Sequence, residues 1–426
     1  MGLREFNLDL HFHGPWAGGV SKNMLIPVIA EQAQLKGLDV VSTADATHGD
    51  WLKHLKQELV EEENGVYRHP GFETRFLVGT EVCCNRRVHH LIYLPDLATA
   101  ETLRLKLMGK GSLDCAMCGR PQLRMSPEEI AGVVHDLGGI IGPAHAFTPY
   151  FSVYAHFDSV KQAYGAEGKK ISFMELGLSA DSYFADLIAE NHEYAFLTCS
   201  DSHSPWPHRI GREFTRMKME KPGFEGLRRA LADREDGLIT LNAGLDPREG
   251  KYHLTACNAC YKKYSVEAAE KFKWKCVTCK GEVKKGVRDR IRELADFGEE
   301  VHPRHRPPYQ HLVPLAEIIQ AAVGAENPLA EKVQRPWLKF VETVGNEIKV
   351  LVDAPIVELQ EIDERIAAYV EAFRAGRVLY LPGGGGQYGK PIICLSEEEL
   401  ERKKTELGDA LEGKGDAEKQ RTLLDY

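Results

Sequence analysis

No stretch of this 426-residue chain approaches the ~20 consecutive apolar residues that a membrane-spanning helix requires, so no helical membrane protein and no membrane partner is expected. The opening residues, MGLREFNLDL, lack the basic flank and apolar core of an export signal, and the cytoplasm is the expected compartment. Internal repeats are missing. The one glycine run, in LPGGGGQYGKP, lacks the Ser/Thr after its lysine and the helix start that would make it a P-loop. Overall positive charge is missing too: the net charge of −9 argues against a uniformly basic nucleic-acid coat. Ten cysteines could suggest disulfides, but four fall as paired C-x-x-C units, which in a chain without an export signal favours metal over cystine.

What is present is an alternation of short apolar strands with amphipathic helices over residues 1–245. Strands are expected at 39–43, 76–79, 140–142 and 195–199, and helices at 25–36, 126–137 and 180–191. Such alternation predicts an α/β fold with a parallel sheet or barrel whose loops at the carboxyl ends of the strands carry chemistry. Metal-capable side chains sit at those ends: His11 and His13 in DLHFHG, Asp45 and His48 in STADATHGD, Glu81 in VGTEV, His145 in GPAHAF, and Asp201 with His203 in CSDSHS, with His90 in VHHLIYL as an addition. In H-x-H on a strand both imidazoles point to one side. Glu81 is the natural bridging ligand, because a carboxylate can join two ions. Clustered ions activate water and stabilise a leaving oxygen, so phosphoester hydrolysis is the expected reaction class, with Asp201, Glu81, His203 and Asp45 as catalytic residues.

Residues 246–285 change character. Cys257-x-x-Cys260 and Cys276-x-x-Cys279, fifteen residues apart, match a zinc ribbon that binds one structural zinc. From Lys251 to Arg292 twelve Lys/Arg stand against four Asp/Glu, a local net of +8 that can neutralise phosphates. Cys115-x-x-Cys118 has no second pair nearby and could be a metal site, a thiol pair or a structural loop. Residues 286–426 read as a mostly helical unit with helices at 286–297, 315–324, 328–344, 357–374 and 397–412. Candidate DNA contacts are Arg209, Arg212, Lys262, Lys263, Lys284, Lys285, Tyr388 and Lys390. The glycine run before Tyr388 is expected either to let backbone amides approach a phosphate or flipped base, or to be a flexible turn. In the tail KQRTLLDY, the spacing of Gln420, Leu423 and Tyr426 is that of a segment docking a sliding clamp.

The order H-x-H, Asp/His, Glu, His, Asp-x-His over residues 1–245 resembles the polymerase-and-histidinol-phosphatase (PHP) family. That resemblance implies a distorted, TIM-like β/α barrel of the PHP type. In it His11, His13, Glu81 and Asp201 would hold one ion, Glu81, His90 and His145 a second, and His48 and His203 would contribute to a third. Here GPWAGGVSK replaces a further histidine that many relatives carry after the H-x-H, leaving the third site absent, weaker or completed by Asp45. His89 competes for the His90 role, because strand alternation lets only one of them face inward. With the four-cysteine ribbon, the RPPY connector and GGGGQYGK added, the chain resembles the endonuclease Q family nearly end to end. This implies a metal-dependent DNA repair endonuclease cutting the phosphodiester 5′ to a deaminated base (uracil, hypoxanthine, xanthine) or an abasic site, with damaged DNA as partner. It also implies two or three divalent ions (Zn, Mn or Mg) in the barrel. The alternative is a histidinol-phosphatase-like enzyme for small phosphoesters, against which the basic ribbon and the large third unit speak.

Overall fold

A computed structural model of the chain describes residues 2–63 and 65–413. Strands β1 (Arg4–Asp9) and β2 (Val40–Ser42) pair in parallel through Leu8 and Val40. A side hairpin, β3 (Val60–Glu63) and β4 (Val66–Arg68), leads to β5 (Arg75–Leu77), which lies parallel to β2. The next three strands, β6 (Gly79–Cys83), β7 (His89–Tyr93) and β8 (Ile140–Pro143), pair antiparallel, and this reversal is what distorts the barrel. The Ala146 amide donates to the Glu175 carbonyl at 2.8 Å, joining β8 to β9 (Phe173–Glu175), which runs parallel to β10 (Ala195–Leu197). A parallel bridge between Phe12 and Ser202 closes the ring back onto the end of β1.

Leu8, Val40, Leu77, Leu91, Phe173 and Leu197, one or more from most strands of the ring, form a single buried cluster. Each such side chain contributes roughly 1.5–3 kcal/mol by leaving water. Val41, Val82, Ile92 and Ile141 face the other way and pack under the surrounding helices. Leu91 and Tyr93 therefore point into the ring, whereas Ile92 points out; this period of two fixes the direction of every side chain on β7.

Helix α1 (Ile26–Lys36) begins with a proline in its first turn and ends at Gly37, whose φ of 91° suits the left-handed cap that glycine adopts freely. The expected helix over 180–191 is instead a single turn, Ser182–Ala185, and a 3-10 segment, Ala189–Glu193. Asn191 explains the break, because its side chain donates to the Ala185 carbonyl and accepts from the Tyr154 hydroxyl in place of helical bonding. The expected helix over 357–374 divides at Asp363, whose carboxylate caps the second half at the Ile366 amide.

Beyond the ring, β11 (Phe214–Met219) pairs with β1 and β12 (Ile239–Gly244) extends the same sheet. The ribbon follows, with β13 (Ala256–Cys257) against β14 (Val283–Lys284) over a small core of Tyr264, Ala269 and Val283. Residues 286–413 do not stand apart from the barrel. Strand β15 (Tyr309–His311) joins its sheet beside β12, and the helices Leu315–Val323 and Glu331–Val344 share its outer core. A buried Lys36 ties the two together, donating to the Pro207 carbonyl at 2.8 Å and to Glu347 at 2.6 Å. The last hairpin is β16 (Val378–Leu381) with β17 (Lys390–Ile393). Among the described residues no helix is long and apolar enough to cross a membrane.

Candidate metal centre and cleft

The strand ends bring six imidazole and carboxylate side chains into two adjoining groups, His11 with His13 and Asp201, and Glu81 with His89 and His145, each with its ligand atoms within 4.8 Å of one another. Glu81 lies between them. Its Oε1 is 2.9 Å from His89 Nδ1, 3.2 Å from His145 Nε2 and 3.7 Å from His11 Nε2, while its Oε2 is 3.3 Å from His13 Nε2. Asp201 Oδ1 stands 3.6 Å from His11 Nε2 and 3.4 Å from His13 Nε2. Burial alone would raise the Glu81 carboxyl, but His89 and His11 reverse this and hold it well below its ordinary value; His11 does the same for Asp201.

The donor set fits divalent cations. Among the described residues neither Glu81 oxygen nor Asp201 Oδ1, all buried, has a well-aligned hydrogen-bond donor, an arrangement that is costly unless positive charge lies among them. The far nitrogens of the two leading histidines are fixed from behind: His11 Nδ1 lies 2.9 Å from Glu175, and His13 Nδ1 lies 3.0 Å from Asp45. Such outer carboxylates set the tautomer and aim Nε2 inward. Glu175 also accepts from the His145 amide at 2.7 Å, so one side chain orients two ligands. The backbone is strained at the same places. Asp45, His145 and Asp201 have φ of 35°, 29° and 43°, a region rarely used by non-glycine residues and worth about 1–3 kcal/mol each.

Several expected residues stand elsewhere. His90 is not in the cluster: it points out of the ring, Nδ1 2.6 Å from the Tyr164 hydroxyl, and its neighbour His89 takes the place assigned to it because residues 89, 91 and 93 share the inward face. His48 caps the helix α2 (Gly49–Glu58) by accepting from the Trp51 amide, its Nε2 faces the Cys115 carbonyl at 3.2 Å, and it belongs to neither group. Asp45 supports His13 rather than facing the two groups. His203 stands at the mouth, Nε2 3.5 Å from Asp201 Oδ1. Cys115 and Cys118 are joined as a disulfide. Glu175 and Arg120 escaped the sequence reading, although Glu175 follows an apolar run, ISFM, as Glu81 follows FLVGT.

The cluster floors a cleft of about 580 Å³. Its walls carry Tyr150, Tyr252, Arg209, Lys251 and Tyr388. Arg209, Lys251 and Arg212 lie 5.4, 5.8 and 6.0 Å from the centre of the Tyr388 ring. Burial would raise the Tyr388 phenol, but Arg212 and Lys251 outweigh it and hold it below its ordinary value. Arg212 is itself buried and bound to the Ser200 carbonyl, at 3.0 Å from Nε and 2.9 Å from Nη2. The glycine run before Tyr388 packs against the segment 248–251. The amides of Gly383, Gly386 and Gly389 donate to the carbonyls of Arg248, Lys251 and Glu249 at 2.8 Å each. A Cβ on Gly389 would fall 2.2 Å from the Arg248 oxygen, so glycine is required there for backbone to lie on backbone.

In the ribbon, the four sulfurs of Cys257, Cys260, Cys276 and Cys279 form one group, with Cys257 to Cys279 and Cys260 to Cys276 each at 3.5 Å. The Tyr264 hydroxyl and the backbone amides of Cys279 and Thr278 overcome burial to bring the Cys276 thiol down to about 5. Lys284 and Lys285 pair with Glu282 and Glu293 at 2.7 Å, and Lys262 reaches Thr278. Lys263 borders this region, and Lys390 is exposed on β17. Gln420, Leu423 and Tyr426 lie outside the described residues.

Comparison with known proteins is consistent along the whole chain. Residues 314–377 match the MJ0043 C-terminal domain family. The MJ0043 protein of Methanocaldococcus jannaschii is 42% identical over 284 residues, covering 63% of this chain, and the chain spans 35% of that protein's length. The YqxK protein of Bacillus subtilis is 29% identical over 409 residues, covering 91% and 99% of the two chains. The crystal structure of PfuEndoQ, a lesion-specific endonuclease from Pyrococcus furiosus, is 43% identical with a TM-score of 0.85, over 95% of this chain and 99% of that one. An endonuclease Q complex with a 27-mer duplex carrying an abasic lesion at its active site is 44% identical with a TM-score of 0.87, over 93% and 98%. At this identity over nearly the full length of both chains, the chain belongs to the endonuclease Q family.

Proposed function

We propose that the chain is a metal-dependent DNA repair endonuclease that hydrolyses the phosphodiester 5′ to a deaminated base or an abasic site. The observation that carries this reading is Glu81, a buried carboxylate whose two oxygens have no well-aligned donor among the described residues, set between two histidine-containing groups at the floor of a cation-walled cleft. Family membership supports the substrate class, since one relative was solved with abasic duplex DNA.

His11, His13 and Asp201 would hold one divalent cation, and His89 and His145 a second, with Glu81 shared. Bound there, such ions supply an activated water and neutralise charge on the leaving oxygen. The protein's own groups do the rest. Glu175 and Asp45 keep the imidazoles aimed, and His203 at the mouth would pass a proton to the departing oxygen. Arg209 and Lys251 receive backbone phosphates. Tyr150 and Tyr252, edge to face at 5.3 Å, offer faces for a base turned out of the helix, a step that is easier for a lesion that pairs poorly. The ribbon holds one structural zinc and adds phosphate contacts through Lys262, Lys263, Lys284 and Lys285, with Lys390 on the final hairpin. Contact with a sliding clamp through Gln420, Leu423 and Tyr426 rests on their spacing.

The test is strand cleavage of matched duplexes carrying uracil, hypoxanthine, an abasic analogue or no lesion, with and without added divalent metal. One cut, 5′ to the lesion and dependent on metal, is expected. Equal cutting of undamaged DNA, or hydrolysis of small phosphomonoesters alone, would refute the reading.

A further inference from the structure

Arg120 enters the cleft beside the cluster on a segment fastened at both ends. The Gly119 amide donates to the Trp16 carbonyl at 3.0 Å, beside the H-x-H turn, and the Cys83 amide at the end of β6 donates to the Pro121 carbonyl at 2.9 Å. Between these anchors the chain lies so close to the cluster that a Cβ on Gly119 would stand 2.6 Å from Asp45 Oδ2. The side chain is 23% exposed and pairs with Glu81, Nε 3.5 Å from Oε2, beyond ordinary hydrogen-bond length. Among the described residues Arg120 makes no hydrogen bond. Arg212, which lines the same cleft, differs: its donors go to the Ser200 carbonyl and the Tyr388 hydroxyl.

A guanidinium carries five donors in a rigid fork that matches phosphate oxygens. One carried on a segment anchored at both ends, mostly out of water, paired only at 3.5 Å with the carboxylate between the two ligand groups and with no hydrogen bond among the described residues, is a site for an anion that arrives with the substrate. We propose that Arg120 is a catalytic residue that donates to a non-bridging oxygen of the phosphate being cut. The inference rests on the strand-cleavage reading above. In that reaction the oxygen of water bonds to phosphorus and gives up a proton. The bond to the leaving oxygen breaks with its electron pair, and that oxygen is protonated. Arg120 keeps its own protons throughout and opposes the charge building on the equatorial oxygens.

The experiment compares wild type, Arg120→Met and Arg120→Lys on a duplex with a single abasic analogue, under single-turnover conditions with added Mn²⁺. Thermal melting and bound-metal analysis accompany each protein. Cleavage by Arg120→Met is expected to fall by about 100-fold or more, while DNA affinity measured with metal chelated stays within about threefold and bound metal is unchanged. Arg120→Lys should regain part of the rate. On a duplex whose scissile phosphate is a methylphosphonate, lacking the charged oxygen, wild type and Arg120→Met should cleave equally slowly. Rates within about threefold of wild type for both variants, or a loss that follows loss of bound metal, would overturn the proposal while leaving the endonuclease reading standing. No cleavage by wild type would sink both.

Discussion

The barrel and the ribbon each gather metal-capable side chains, and they do so in opposite ways. In the ribbon all four sulfurs come from two C-x-x-C turns within 23 residues, and no position is left for substrate. In the barrel the candidate ligands come from separate strand ends between residues 11 and 201, mix imidazole with carboxylate, and face an open cleft. Strain divides them too. In the ribbon the left-handed residues Tyr261 and Lys280 follow the second cysteine of each pair and Lys273 and Trp274 lie between the pairs, whereas in the barrel His145 and Asp201, left-handed themselves, are candidate ligands. A closed thiolate site contributes fold stability, and an open, strained, mixed site is suited to chemistry.

That contrast can be broken by substitution. The largest effect is expected from Asp201→Ala: nicking of lesion duplex should fall at least about 1000-fold while ribbon zinc and DNA binding persist, as read by gel assay and elemental analysis. Loss of ribbon zinc in this variant would mean that the two centres are not separate.

Adjacent histidines sharpen the picture. His89→Ala should slow cleavage roughly 100-fold, and His90→Ala by less than about threefold, the second acting on stability instead. Burial pushes the His90 imidazole down from 6.5 to about 3. It is therefore neutral in the folded protein, and its contribution is full above pH 6.5 and is lost as pH falls towards 3, where the unfolded chain binds the proton first. Thermal melts across this range should show a shallower acid decline for His90→Gln than for wild type. An unchanged slope would contradict the burial assigned to His90.

Replacing Cys257 and Cys276 by serine should remove any metal bound by the ribbon cysteines and weaken DNA binding by about tenfold, while leaving metal bound in the barrel unchanged. The smallest effect is expected from Tyr388→Phe. The hydroxyl is 3.5 Å from Arg212 and the ring remains to carry the cations, so DNA affinity should change by no more than about threefold in a binding titration.

The ribbon was legible in full because its geometry is local: two spacings specify four ligands. The barrel was legible at strand ends, since H-x-H, VGTEV and CSDSHS each follow an apolar run. What stayed hidden depends on distant partners. His89 and His90 are separated only by the registers Cys83 to His89 and Val82 to His90 in the β6 pairing. Glu175 bonds His11 across 164 residues, and no motif announces it. His48 carries a metal-capable ring, yet its position at a helix start directs that ring to the Trp51 amide. The glycine run suggested a ligand-binding loop because glycine permits close approach, and the close approach is to the protein's own carbonyls.

Glu81 would be shared between two cations, one on His11, His13 and Asp201 and the other on His89 and His145. Crystals soaked in Mn²⁺ and measured for anomalous scattering would locate them. Two peaks are predicted, each about 2.0–2.4 Å from a Glu81 oxygen and from its histidine set. Peaks at His90 or His48, or none near Glu81, would contradict that sharing.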